Sequence, residues 1–189
     1  MISAATSRTL NGLGLLAICA VLMVAFYDQF AGDDLPCPLC LLQRVGFVAV
    51  GFGLCLNVIY GPDPRHYGVV ILGALFGGGV SVRQTLLHIV PGSGSYGDPF
   101  LGLHFYVWGV ISFFLVIVGT AIMLIIDRSA GAGRSGAVPV RGGGFPMLAV
   151  WLMLALTAGN AVSTFLECGP GQCADDPESY RVIDELTGG

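Results

Sequence analysis

Five apolar segments, near Leu10–Tyr27, Leu41–Tyr60, Tyr67–Val90, His104–Ile126 and Phe145–Leu166, dominate this chain. Each is long enough, or nearly so, for the roughly 20 residues that cross a bilayer as helix. So much apolar sequence does not fit one water-soluble core. Of 189 residues, 54% are hydrophobic and 11% charged, where a soluble domain carries about 25% charged residues. The expected fold is an all-α integral membrane protein with five spans. The net charge of -4 and the lack of a basic cluster exclude a nucleic-acid partner. Arg8 precedes the first span as it would in a signal peptide, but no small-x-small site stands before Asp28. The segment therefore reads as a retained first helix.

All eight basic residues are arginine, and their placement predicts an orientation. With a cytoplasmic N-terminus, Arg8, Arg65, Arg128, Arg134 and Arg141 fall inside. Asp28, Asp33, Asp34 and Asp98 fall outside, with Arg181 in the tail. Cys37, Cys40, Cys168 and Cys173 then share the outer, oxidising side, where disulfides persist.

The stretch Leu35-Pro36-Cys37-Pro38-Leu39-Cys40-Leu41-Leu42-Gln43-Arg44 puts two cysteines and a cation at the mouth of the second span. Pro38 suits a first helical turn, which sets Cys37 at the helix N-terminus, where the dipole favours thiolate. Cys37, Cys40 and Arg44 fall within about 60° of one face, with Arg44 one turn deeper than Cys40. Three readings of the pair compete: half a zinc site, a structural bridge, or a redox-active dithiol. Zinc needs four N/S ligands, and Cys168 and Cys173 lack zinc-knuckle spacing. A Cys-x-x-Cys bridge closes a tiny loop of the labile kind, which favours redox chemistry. Arg44 either snorkels to headgroups or serves a site, as an ionisable residue in a span does by default.

These residues resemble the P-C-x-L-C-x-x-x-R signature of the disulfide bond formation protein B (DsbB) family. Arg83-Gln84 with His88, and Phe100-Leu101-Gly102-Leu103 followed by Trp108, are similar to further family pieces, in order over about residues 10 to 126. The resemblance implies a four-helix transmembrane bundle in a bacterial inner membrane. It also implies a dithiol:quinone oxidoreductase that reoxidises a periplasmic DsbA-like thiol oxidase and reduces a quinone, ubiquinone or menaquinone. By the same resemblance Cys40 faces the quinone, Cys37 exchanges with the second cysteine pair, and Arg44 is the quinone-side cation. Gln43, Arg83 and His88 are further candidates on that side.

One departure from the family is plain. The family carries its second pair in the loop between the third and fourth spans. Here Pro91–Leu103 is short and lacks cysteine, and Cys168 and Cys173 follow the fifth, C-terminal transmembrane helix. The expected organisation is a redox bundle over 1–126, a Gly- and Arg-containing cytoplasmic linker over 127–144, the fifth helix over 145–166 and a periplasmic tail over 167–189. The tail pair is either a structural staple or the pair that takes electrons from a soluble partner. Beyond it, Asp176 is a candidate cap, Pro177 a candidate first-turn residue, and Tyr180, Ile183 and Leu186 share a helical face.

Cys19 and Cys55, inside spans, read as inert packing residues. Gly77-Gly78-Gly79 permits close helix approach. A vitamin K epoxide reductase-type oxidoreductase and a membrane scaffold with structural disulfides are the competing functions.

Overall fold

A computed structural model of the chain describes residues 2–32, 35–90, 92, 94, 99–127 and 144–188. The linker arginines Arg128, Arg134 and Arg141, with Asp33, Asp34 and Asp98, lie outside the described residues. Five long helices are apolar enough to cross a membrane: α1 (Ala4–Ala31), α2 (Pro38–Tyr60), α3 (Pro64–Leu87), α4 (Phe105–Ile126) and α5 (Phe145–Cys168). A short helix, α6 (Arg181–Thr187), follows in the tail. The protein is thus an all-α, multi-pass membrane protein.

Local chemistry sets the helix ends. The Ser3 hydroxyl accepts the Thr6 amide, and the Asp63 carboxylate accepts the Arg65 amide ahead of Pro64. Gly61 (φ 90°) closes α2, and Gly169 (φ 63°) closes α5. Helix α5 runs two residues past the expected Leu166, so Glu167 and Cys168 belong to its last turn.

Helix α2 is the centre. Just over half of its apolar stretch, 56%, is buried in protein, against 17–33% for the other four helices. It packs on α1, α3 and α5, while α4 packs on α3 and α5 on α1. Leu15, Leu22, Val50, Val58, Val70 and Phe113 form the core with Cys19 and Cys55, which pack there as small apolar residues.

Glycines let α2 and α3 meet backbone to backbone. A Cβ on Gly46 would stand 2.6 Å from the Gly77 Cα, and a Cβ on Gly77 would enter the Phe113 ring. That ring stacks on Phe47 at 4.0 Å between centroids. Of the glycine triplet only Gly77 makes this close approach, while Gly79 faces open space.

Polar groups collect at the two ends of the bundle. At the end holding the α2–α3 turn, the Asn57 amide donates to Asn11 at 2.9 Å, and Asn11 donates to the Tyr67 hydroxyl at 2.9 Å. Tyr67 and Ser7 both donate to the buried Asp127 carboxylate. Four helices are thereby joined without leaving these buried groups unsatisfied. Near the other end, Phe100 and Leu103 exchange backbone hydrogen bonds around a two-residue turn at Leu101 (φ 52°) and Gly102 (φ 81°). Trp108 Nε1 donates to the Phe100 carbonyl at 3.0 Å, fixing this turn at the head of α4.

The tail departs from expectation. Helix α6 begins only at Arg181, so Asp176 caps nothing and Pro177 stands outside the helix. The chain from 175 to 180 is spent reaching α1, where the Tyr180 hydroxyl accepts a hydrogen bond from Gln29 Nε2 at 2.9 Å.

A Gly77→Val variant should lose about 1–3 kcal/mol through overpacking against Phe113, read as a lower unfolding temperature in detergent. Gly79→Ala, which meets nothing, should unfold no earlier than the parent.

Candidate functional site

The residues that carry chemistry gather at the N-terminus of α2. Cys37 is its N-cap, and its sulfur accepts the Cys40 amide at 3.2 Å, with Pro38 opening the first turn. The two sulfurs stand 2.6 Å apart. Cys37 is buried and Cys40 half-buried. The hydrogen bond to the Cys40 side chain, then burial, push the Cys37 thiol well above its ordinary pKa. Cys37 therefore keeps the last proton of the reduced pair.

Gln84, on α3 and fully buried, faces both sulfurs. Its Nε2 lies 3.3 Å from the Cys37 sulfur and 3.5 Å from the Cys40 sulfur. Gln43 fixes that amide by donating to Gln84 Oε1 at 2.6 Å. Nearby, a side chain on Gly109 of α4 would collide with Ser81 and Gln43, so α4 closes tightly over this point.

Arg44 is 7% exposed, one turn below Cys40. Its Nη1 donates to Gln29 Oε1 at 2.6 Å and its Nη2 to the Ala25 carbonyl at 2.9 Å. The guanidinium also stands 5.3 Å from the centre of the Phe26 ring. These bonds hold it inward on α1, so it does not snorkel outward. Because Gln29 also donates to Tyr180, a continuous chain runs from Arg44 through Gln29 to the tail.

Cys37, Cys40, Gln43, Arg44 and Gln84 line one cavity of about 340 Å³ between α1 and α4, with mostly apolar walls. That size and lining suit a small planar ligand held by a few polar groups. Of the expected residues, Arg83 does not join it: the side chain is exposed on another face of α3. His88 stands one ring away, stacked on the cavity residue Tyr106 at 5.3 Å, its Nδ1 bonded to the Gln84 carbonyl at 2.8 Å.

The sequence names Gln84 only beside Arg83, as a family-like piece without a role, and gives Gln29 and Glu167 no role in the site. For Gln84 a signal existed. It shares the seam of Gly77 and Ser81 at helical spacing, whereas Arg83 lies about 100° away. Gln29 and Glu167 carry no such mark.

Cys168 and Cys173 form a disulfide that closes a small loop at the end of α5. Cys168 is buried, and Cys173 is half-buried behind exposed Pro170–Gln172. Both cysteine pairs sit at the same end of the bundle. Glu167, beside Cys168, interacts electrostatically with Arg44 and Cys40.

The model of the family "Disulfide bond formation protein DsbB" matches residues 7–95, which hold α1, α2, α3 and the Cys37–Cys40 pair. Disulfide bond formation protein B of Aromatoleum aromaticum is 40% identical over 84 residues, 42% of this chain and 51% of that protein. The protein of that name from Marinobacter nauticus is 40% identical over 91 residues, 46% of this chain and 54% of the relative. That of Chromobacterium violaceum is 36% identical over 105 residues, 51% and 63% of the two chains. The matches span about half the length of the first two relatives. No solved structure matches. The three-helix stretch that holds the dithiol, Gln84 and Arg44 is thus the stretch that the family model matches, and over residues 7–95 the chain is similar to the DsbB family.

Proposed function

We propose that this protein is a dithiol:quinone oxidoreductase that reoxidises a periplasmic DsbA-like thiol oxidase. The carrying observation is the Cys37–Cys40 pair opening, beside buried Arg44, onto an apolar cavity. The cavity fits a quinone ring: apolar walls accept the ring, and Arg44, Gln43 and Cys40 supply polar groups for its oxygens. When bound, a quinone supplies an acceptor for two electrons and two protons. Arg44 offers a fixed positive charge in a site of low dielectric, where it stabilises negative charge arising on Cys40 or on a ligand oxygen. Gln84 holds both sulfurs in reach of one another, and Gln43 keeps its amide turned towards them.

Electrons enter at the other pair. A thiolate of the partner attacks the disulfide of the tail, and Cys173, the less buried sulfur, is the one that meets it. The Cys173–Cys168 bond breaks and Cys168 leaves as thiolate. The second partner thiol then displaces Cys173, so the partner leaves as a disulfide and the tail as a dithiol. Exchange with Cys37–Cys40 passes the same two electrons inward. His88, one ring removed from the cavity, is a residue that orients Tyr106 and Gln84 in this scheme. Arg83 has no part in it. The N-terminus is cytoplasmic and the tail periplasmic, in a bacterial inner membrane. Similarity to the DsbB family favours this reading over a vitamin K epoxide reductase-type enzyme or a scaffold.

Purified protein should reduce added quinone at the expense of a small dithiol, and Cys40→Ser should abolish this. Arg44→Met should slow it by about 10²–10³-fold, the cost of losing one fixed donor to developing charge, with partial recovery in Arg44→Lys. Unchanged rates in Arg44→Met would remove the arginine from the site.

For the tail, Cys168→Ala should trap a mixed disulfide between Cys173 and the thiol oxidase, seen by mass spectrometry, and Cys173→Ala should trap little. A double Cys168→Ala, Cys173→Ala variant should keep quinone reduction by a small dithiol and lose oxidation of the protein partner. Full partner turnover by that double variant would sink the role of the tail pair.

A further inference from the structure

Glu167 is a buried charge that the relay leaves unused. It lies in the last turn of α5, outside the stretch matched to the DsbB family, and is 4% exposed. Neither carboxylate oxygen accepts a hydrogen bond from the described residues. A buried carboxylate is costly unless it is paired or protonated. Arg44 attracts Glu167 and Cys40 repels it, both from α2. Half-buried Asp28 of α1 and Tyr180 of the tail also act on Arg44. Gln29, packed between them, is neutral and already spends its amide on Arg44 and Tyr180.

We infer that Glu167 and Cys40 alternate as the counter-charge of Arg44, Glu167 taking up a proton as Cys40 becomes a thiolate. This rests on the relay proposed above. While the Cys37–Cys40 disulfide is closed, Cys40 carries no charge and the Glu167 carboxylate balances the guanidinium. A reduced tail thiol then attacks the Cys37 sulfur, and its proton passes to Glu167. A sulfur–sulfur bond forms between the tail and Cys37, the Cys37–Cys40 bond breaks, and its electron pair leaves on Cys40 as thiolate. Arg44, Cys40 and Glu167 together are neutral before and after. The second tail thiol displaces Cys37, and its proton goes to the Cys37 sulfur. When Cys37–Cys40 closes again, two electrons leave for the quinone together with the Glu167 and Cys37 protons. A buried site that must hold one cation throughout thus never gains a net charge, which is what low dielectric penalises most.

The test uses the full-length protein in detergent and needs neither quinone nor partner. The protein is equilibrated with a small dithiol at a series of pH values, and the reduced fraction of Cys37–Cys40 is read by alkylation and peptide mass spectrometry, which gives the protons taken up per reduction. Reduction should take up two protons in the parent, on Cys37 and Glu167, and one in Glu167→Gln, which has no carboxylate to protonate. Glu167→Asp, which keeps the carboxylate, should again take up two. A Glu167→Gln profile with the parent's two protons overturns the inference, as does an Asp variant that takes up only one. The unmutated protein gives a second readout. Its infrared difference spectrum on reduction should gain a protonated-carboxyl band, and no such band overturns the exchange. Lack of dithiol-driven quinone reduction in the parent would instead overturn the relay, and the profile and the band would still decide the charge coupling.

Discussion

A guanidinium taken out of water at the end of a membrane bundle must be met by protein on every side, and Arg44 organises its surroundings accordingly. Its two terminal nitrogens are spent on Gln29 and on the Ala25 carbonyl, and its face lies towards the Phe26 ring. All three partners are on α1, so the cation sets how α1 leans on α2. Negative charge comes from elsewhere, through Asp28, Glu167 and the ionisable Cys40. Losing any one of these partners leaves a buried charge less satisfied, which costs more than the partner's own bond contributes.

The position of α2 makes this possible. Gly46, Gly53, Gly73 and Gly77 allow α3 so close that Gln84 reaches sulfurs carried by its neighbour. A bulkier seam would hold α3 away and leave the Gln84 amide without the sulfurs. The far end is tied by a different device, the Ser7–Asn11–Asn57–Tyr67–Asp127 network. Between the two polar ends the core is apolar. Rigid helices anchored at both ends are what a site needs if two sulfurs and a cation are to keep their spacing.

The spans, the Cys-x-x-Cys at a helix mouth and the arginine below it were legible in sequence because each depends on local pattern. Length and hydropathy fix a span, and a 100° step per residue fixes which of Cys37, Cys40 and Arg44 share a face. Helix phase also separates buried Gln84 from exposed Arg83, although charge draws attention to the exposed member of that pair. Other features were beyond local pattern. Gln29 and Glu167 owe their places to packing between α1, α2 and α5, and no spacing within one helix encodes that. The tail misled for a similar reason. Asp176 and Pro177 have the chemistry of a helix start, yet the chain there is drawn out to bring Tyr180 to Gln29. A single tertiary hydrogen bond outweighed local preference.

The fifth helix answers a geometric problem raised by the short connection between α3 and α4. In the proposed relay a second cysteine pair must reach the first, and the chain between α3 and α4 carries no cysteine. Packing α5 on α1 and α2 brings its last turn to the end where α2 begins. The Cys168–Cys173 disulfide then sits on a rigid helix end instead of a long tether, with Glu167 one residue before it. A long loop would offer reach at the cost of chain entropy on each approach. A helix end forgoes reach but brings a fixed side chain to the site, and here that side chain is a carboxylate. Placing the pair after α5 therefore also places a carboxylate that acts on Arg44. The Tyr180–Gln29–Arg44 chain adds a physical link between the tail and the cation, so a partner that displaces the tail must also disturb the group beside Cys40.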